Sequence, residues 1–76
     1  MTYMLSLDSI DKVGRFIRCI DKYDGDMDIA AGHYSVDAHS LMGILSIDLN
    51  RTLEFRVPAD YARMDALQHD IQPFLA

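Results

Sequence analysis

The sequence predicts a single α+β domain over residues 1–76: a four-stranded antiparallel sheet with three helices on one face, an open-faced sandwich. Three observations carry this. Apolar residues alternate with polar ones in short runs at 2–7, 27–31, 34–36 and 53–57. Between and after these runs the apolar spacing lengthens to that of helices. Each strand also has one apolar face, which suits an antiparallel sheet wet on its other side. A chain of 76 residues has a thin core, burying about 60–65% of the surface its unfolded form exposes.

In residues 2–7, Tyr3, Leu5 and Leu7 share one side, and Met4 and Ser6 the other. Asp8 or Ser9 then caps a helix, because either side chain accepts a bond from a free amide at a helix start. That helix runs from about Ile10 to Asp21, with Val13, Phe16, Ile17 and Ile20 on its apolar face. Gly14 is a weak point in it, costing about 1 kcal/mol against Ala if exposed. Lys12, Arg15, Arg18 and Lys22 form a basic stripe away from that face, with Asp11 placed to pair with Arg15. A solvated helix exterior accounts for the stripe. In an otherwise acidic chain it also suits docking of an acidic partner.

Residues 23–26 form a turn. Met27, Ile29 and Ala31 then alternate with Asp26, Asp28 and Ala30, and Gly32-His33 makes a tight hairpin turn to Tyr34 and Val36. Ser40 caps a short helix that Asn50-Arg51 closes. On a helical wheel Leu41, Met42, Leu45 and Leu49 cluster on one side, and Ile44 and Ile47 on the other. A helix apolar on two sides either sits wholly inside a core or shows a patch to a partner, and a small chain favours the patch. Leu53, Phe55 and Val57 give the fourth strand, which Pro58 stops. Asp60 is placed to cap the last helix, whose stripe is Met64, Leu67, Ile71, Phe74 and Leu75; Pro73 ends or kinks it near Gln72.

Composition narrows the function. A net charge of −5 disfavours duplex nucleic acid as a partner. No apolar run approaches the roughly 20 residues of a membrane helix, and the N-terminal residues lack the basic and apolar regions of a signal peptide. The lone Cys19 fits a reducing, cytoplasmic setting and reads as a small structural residue. The three His and many Asp show no ligand spacing such as His-Glu-x-x-His, so neither a metal nor a cofactor is expected. A Gly-x-Ser-x-Gly elbow and a phosphate-binding loop are both missing. Ser40 has two readings. As a cap it is worth about 1 kcal/mol. As a phosphorylation site it would gain about −1.5 to −2 charges beside the apolar patch.

A resemblance joins these features. Residues 22–29, Lys-Tyr-Asp-Gly-Asp-Met-Asp-Ile, and 36–47, Val-Asp-Ala-His-Ser-Leu-Met-Gly-Ile-Leu-Ser-Ile, resemble HPr, the small histidine-containing phosphocarrier of the bacterial sugar phosphotransferase system. The second stretch is similar to the family's Lys-Ser-Ile-Met-Gly-Val-Met-Ser-Leu segment, matching it at Ser40, Met42, Gly43 and Ser46. The resemblance spans nearly the whole chain, and the order of elements read above is that of HPr. The family carries its phosphoryl group on the His of a Gly-(Leu/Ile)-His-Ala-Arg-Pro motif at the start of the first helix. Counted back without gaps, that His falls on Ser9, the Arg on Asp11 and the Pro on Lys12.

The resemblance therefore implies a degenerate HPr-like domain that is not an enzyme and has no catalytic residue. A phosphohistidine relay needs an imidazole nucleophile. A Ser hydroxyl without a base is a poor substitute, and Asp8 and Asp11 would repel an incoming phosphate. What carries over is Ser40. In HPr of low-GC Gram-positive bacteria the matching Ser is phosphorylated by an ATP-dependent kinase, and the phosphoprotein binds the catabolite control repressor through that helix. Leu41, Met42 and Leu45 hold the matching patch positions, and Lys12 and Arg15 are the basic candidates for the same contact. The repressor contact also uses the motif's Arg and His, which this chain lacks. The expectation is a regulatory, cytoplasmic binding protein. Its partners would be phosphotransferase-system enzymes, a Ser kinase or a transcriptional regulator. Two other readings stand beside it: a phosphocarrier with an atypical acceptor, Ser9 or a displaced His, and a helix patch that packs on a second copy of the chain.

Overall fold

The computed structural model describes all residues, 1–76. Its elements in chain order are β1 (Thr2–Leu5), α1 (Ile10–Ile20), β2 (Asp28–Ala31), β3 (Tyr34–Asp37), α2 (Leu41–Leu45), β4 (Leu53–Arg56) and α3 (Met64–Asp70), followed by a 3-10 turn at Gln72–Phe74. The strands form one antiparallel sheet in the order β1-β4-β2-β3. The fold is α+β with an open four-stranded sheet and three helices, compatible with an open-faced sandwich.

Register explains the two faces. Tyr3, Phe55, Ile29 and Val36 lie in one cross-strand row, and Leu5 pairs with Leu53. These side chains meet Val13, Phe16 and Ile20 of α1, Ile44 of α2, and Leu67, Ile71 and Phe74 from the C-terminal part. Phe16 sits between the layers, its ring edge-on to Phe55 at 5.3 Å and to Phe74 at 5.5 Å. The opposite face carries Met4, Glu54, Ala30 and Ser35 in one row and Thr2, Arg56, Asp28 and Asp37 in the next. There Arg56 grips Asp28 on the adjacent strand through two nitrogens, at 2.6 and 3.2 Å.

Local chemistry sets the element ends. Ser9 is the cap of α1, its Oγ accepting the Lys12 amide at 3.1 Å. The β2–β3 hairpin turns through Gly32 at φ +62°, with Ala31 paired to Tyr34. A side chain at that φ is strained, so Gly is required there. β1 ends at Leu5 because the C-terminal segment takes over the pairing: Ser6 N donates to Phe74 O and Ala76 N to Met4 O, each at 2.9 Å. Leu7 is nonetheless fully buried.

Two expectations are corrected. The short helix does not run to residue 49. It stops at Leu45, because the Ser46 amide and hydroxyl both donate to Gly43 O, at 3.2 and 2.6 Å, closing a tight last turn. Asp48 then folds over to accept the Asn50 amide. The last helix is not capped by Asp60. It begins at Met64, after turns that return Tyr61 N to Pro58 O and Met64 N to Tyr61 O. Arg63, at its entrance, reaches away to the Lys22 carbonyl at 2.7 Å and lies over the Tyr23 ring at 4.5 Å. Pro73 does end the helix, opening the 3-10 turn.

Tyr23 and Asp70 fasten α3 to the end of α1. The buried phenol donates to Asp70 Oδ2 at 2.5 Å, and Lys22 Nζ lies 3.0 Å from the same oxygen. The bond to Asp70, then burial, pushes the Tyr23 pKa up to about 12. The same bond, then that from Lys22, holds the Asp70 carboxyl below its ordinary value. The sign follows for each. A depressed carboxyl stabilises the fold above the unfolded pKa, near 3.9, and that stabilisation is lost as pH falls through the folded value. A raised phenol stabilises it below about 10, and that is lost as pH rises toward about 12. Melting temperatures of the parent should therefore fall at both ends of the pH scale. In Tyr23→Phe both limbs should be flatter; unchanged limbs would count against the pairing.

Candidate functional site

The candidate site is α2 and its two ends. A five-residue helix is far too short to hold itself, since isolated helices are marginal below about 12–15 residues. Its neighbours hold it instead. Ser40 Oγ accepts the Gly43 amide at 3.1 Å, and Ser40 O accepts the Ile44 amide at 3.0 Å. Ile44 is fully buried. Gly43 lies so close to β3 that a Cβ there would meet Val36 Cβ and Ser40 Oγ, both at 3.1 Å.

His39 ties the helix entrance to α1. Its Nε2 lies 2.8 Å from Tyr23 O and 3.2 Å from Ile20 O, carbonyls at the end of that helix. Carbonyls only accept, so Nε2 carries the proton. The His39 amide donates to Asp37 Oδ1 at 2.9 Å. His39 thus joins the α2 entrance to the turn that follows α1, where Ile20 O also accepts the Tyr23 amide at 2.9 Å.

On the outer side Met42 is 78% exposed and Leu41 44%. Leu45 is half-buried against the core, as are Ile47 and Leu49. The exposed apolar patch is therefore Leu41 and Met42, immediately after Ser40, which is itself half-buried.

The structure does not join the other predicted residues to this patch through a polar contact. Lys12 pairs with Asp8 at 3.2 Å, and Arg15 with Asp11, each within α1. Lys12 lies about 12 Å along the α1 axis from Ile20, the end that His39 holds. Ser9 is exposed, its hydroxyl engaged as the cap. His33 stands at the hairpin tip and His69 is exposed on α3. No three His, Cys, Asp or Glu side chains gather to hold a metal ion, and no helix is long and apolar enough to cross a membrane. Cys19 is half-buried, its thiol donating to Asp70 O at 3.3 Å; burial, then the Asp70 charge, pushes its pKa up.

One feature lies outside the residues singled out from sequence. Beyond the end of α2, Ala31, Tyr34, Ser46, Ile47, Asp48 and Arg51 line a cleft of about 390 Å³. Its Ser46, Ile47 and Asp48 come just after the end of α2.

No family model, curated protein or solved structure matches the chain. The likeness to HPr thus rests on the residues quoted for it.

Gly43→Ala tests how α2 is seated. Ala is better than Gly in a helix interior by about 1 kcal/mol, but its methyl would press on the stiff, branched Val36. A lowered melting temperature is expected; a raised one would show that the contact between α2 and β3 has slack.

Proposed function

We propose that the chain is an HPr-like regulatory domain that binds a protein partner through the entrance of α2 and does not carry a phosphohistidine. The observation that supports it most is the juxtaposition at residues 40–42: a half-buried Ser at the helix cap, followed by the exposed Leu41 and Met42. Phosphorylation of Ser40 would switch the surface. It would put a dianionic group beside an apolar patch, where a partner with Arg or Lys next to an apolar groove could distinguish the two states. The order of elements and the antiparallel sheet fit this reading. Leu45 would contribute its outer edge. Lys12 and Arg15 would serve a partner after opening surface ion pairs that are worth about 0–1 kcal/mol each. Partners of the expected kind are phosphotransferase-system enzymes, a Ser kinase or a transcriptional regulator, in the cytoplasm.

The start of α1 speaks against a phosphocarrier. Ser9 spends its hydroxyl oxygen on the Lys12 amide and has carboxylates at Asp8 and Asp11 for neighbours. No imidazole is hydrogen-bonded to it, and His39 Nε2 is held by two carbonyls.

Intact mass after two incubations tests the reading. With phosphoenolpyruvate and the first enzyme of the phosphotransferase system, no acid-labile phosphate should appear; its appearance would overturn the proposal. With ATP and the HPr Ser kinase, one phosphate is expected on the parent and none on Ser40→Ala. Phosphate retained in Ser40→Ala would move the switch elsewhere.

The patch has its own test. Leu41→Asp and Met42→Asp should leave stability within about 0.5 kcal/mol of the parent, as for other exposed positions. Thermal melts would show it, and a larger loss would make these residues structural.

A further inference from the structure

We propose that the cleft beyond α2 binds a free α-amino acid with an apolar or aromatic side chain. The inference is independent of the docking role of α2. It begins from two opposite charges that line one cleft without meeting. Arg51 and Asp48 both face it, and neither belongs to an ion pair. Arg15, Arg56 and Arg63 are engaged with Asp11, with Asp28, and with Lys22 O and the Tyr23 ring, while Arg18 on α1 is unpaired but lines no cleft. Arg51 instead makes no hydrogen bond and lies against the hairpin turn, its guanidinium 3.4 Å from the place a Cβ on Gly32 would take. Asp48 Oδ1 accepts the Asn50 amide at 3.0 Å, which fixes the carboxylate and leaves Oδ2 free.

The rest of the lining supplies the remaining contacts. Ser46 donates its hydroxyl proton to Gly43 O at 2.6 Å, so its lone pairs can only accept. Ala31 is buried and also lines the cleft. Ile47 is half-buried and Tyr34 is 73% exposed, and both line the cleft.

Ligand chemistry follows from these parts. A carboxylate suits the planar donors of Arg51. An ammonium suits Asp48 Oδ2 and the Ser46 oxygen, both acceptors. An apolar side chain suits Ile47, Tyr34 and Ala31. A zwitterion joins all three and is neutral overall, so the net charge of −5 neither repels nor retains it. A simple anion would leave Asp48 facing it, and a simple cation would face Arg51. The cleft volume, about 390 Å³, lies in the range of small-ligand sites, about 300–1,000 Å³.

The test titrates the 15N-labelled full chain with L-phenylalanine, with 3-phenylpropanoate, which lacks the ammonium, and with phenethylamine, which lacks the carboxylate. L-Phenylalanine should give saturable amide shifts at Ala31, Tyr34, Ser46, Ile47 and Arg51. Each single-pole analogue should bind about tenfold more weakly or worse, as loss of a charge-assisted bond requires. Arg51→Met and Asp48→Asn should weaken L-phenylalanine to a similar degree. Both should fold, since Arg51 and Asp48 are exposed and Asn can still accept the Asn50 amide; unchanged melts check this. Absence of saturation up to about 10 mM ligand, equal binding of 3-phenylpropanoate, or shifts centred elsewhere would overturn the proposal.

Discussion

The fold depends on covering a four-stranded sheet with very little helix. α1 has eleven residues, α3 seven and α2 only five. At 1.5 Å per residue α2 is about 7–8 Å long. The four-residue strand β3 beside it extends about 13 Å. The helix cannot shield the whole strand. It covers the Val36 end, where Gly43 lies against the Val36 side chain, while Gly32, His33, Tyr34 and Ser35 at the hairpin stay exposed. Tyr34 shares a face with Val36 yet is largely exposed for this reason.

A short cover must be held from the side. Ser40 ends the helix on one flank, Ile44 anchors it below, and His39 ties it to the Ile20 and Tyr23 carbonyls at the turn after α1. α3 is held in a comparable way: Tyr23 and Lys22 converge on Asp70, and Arg63 covers the Tyr23 ring. Hydrogen bonds to charged groups do much of this work, because a thin core leaves less to apolar burial alone. The acid and alkaline limits argued for Tyr23 and Asp70 belong to that arrangement and not to either functional reading.

The fold was legible where period and side-chain chemistry agree. Alternation marked all four strands, the 3.6 spacing of Val13, Phe16, Ile17 and Ile20 marked α1, and Gly32 marked the hairpin. Asp11 and Arg15 pair as their spacing requires. What failed were helix ends set by neighbours. Nothing local in Ser46 announces that its hydroxyl will return to Gly43, or in Asp60 that the chain will turn through Tyr61 before a helix forms. Of the site, Ser40, Leu41 and Met42 could be found from sequence because they are contiguous. Arg51, Asp48 and Tyr34 could not, since the hairpin and the loop after α2 meet only in the folded sheet.

Gly43 connects the two ends of α2 more directly than the length of the helix suggests. Its amide is the donor that Ser40 caps, and its carbonyl is the acceptor that Ser46 closes on. The docking entrance and the cleft lining therefore terminate on one residue, and a Cβ on that residue would lie 3.1 Å from Val36 Cβ, a tight contact. A longer helix would have separated the ends by whole turns and let each relax alone. Here a shift of either serine moves a hydrogen bond to the same residue, so the geometry of the patch and that of the cleft are set together by where Gly43 rests on β3.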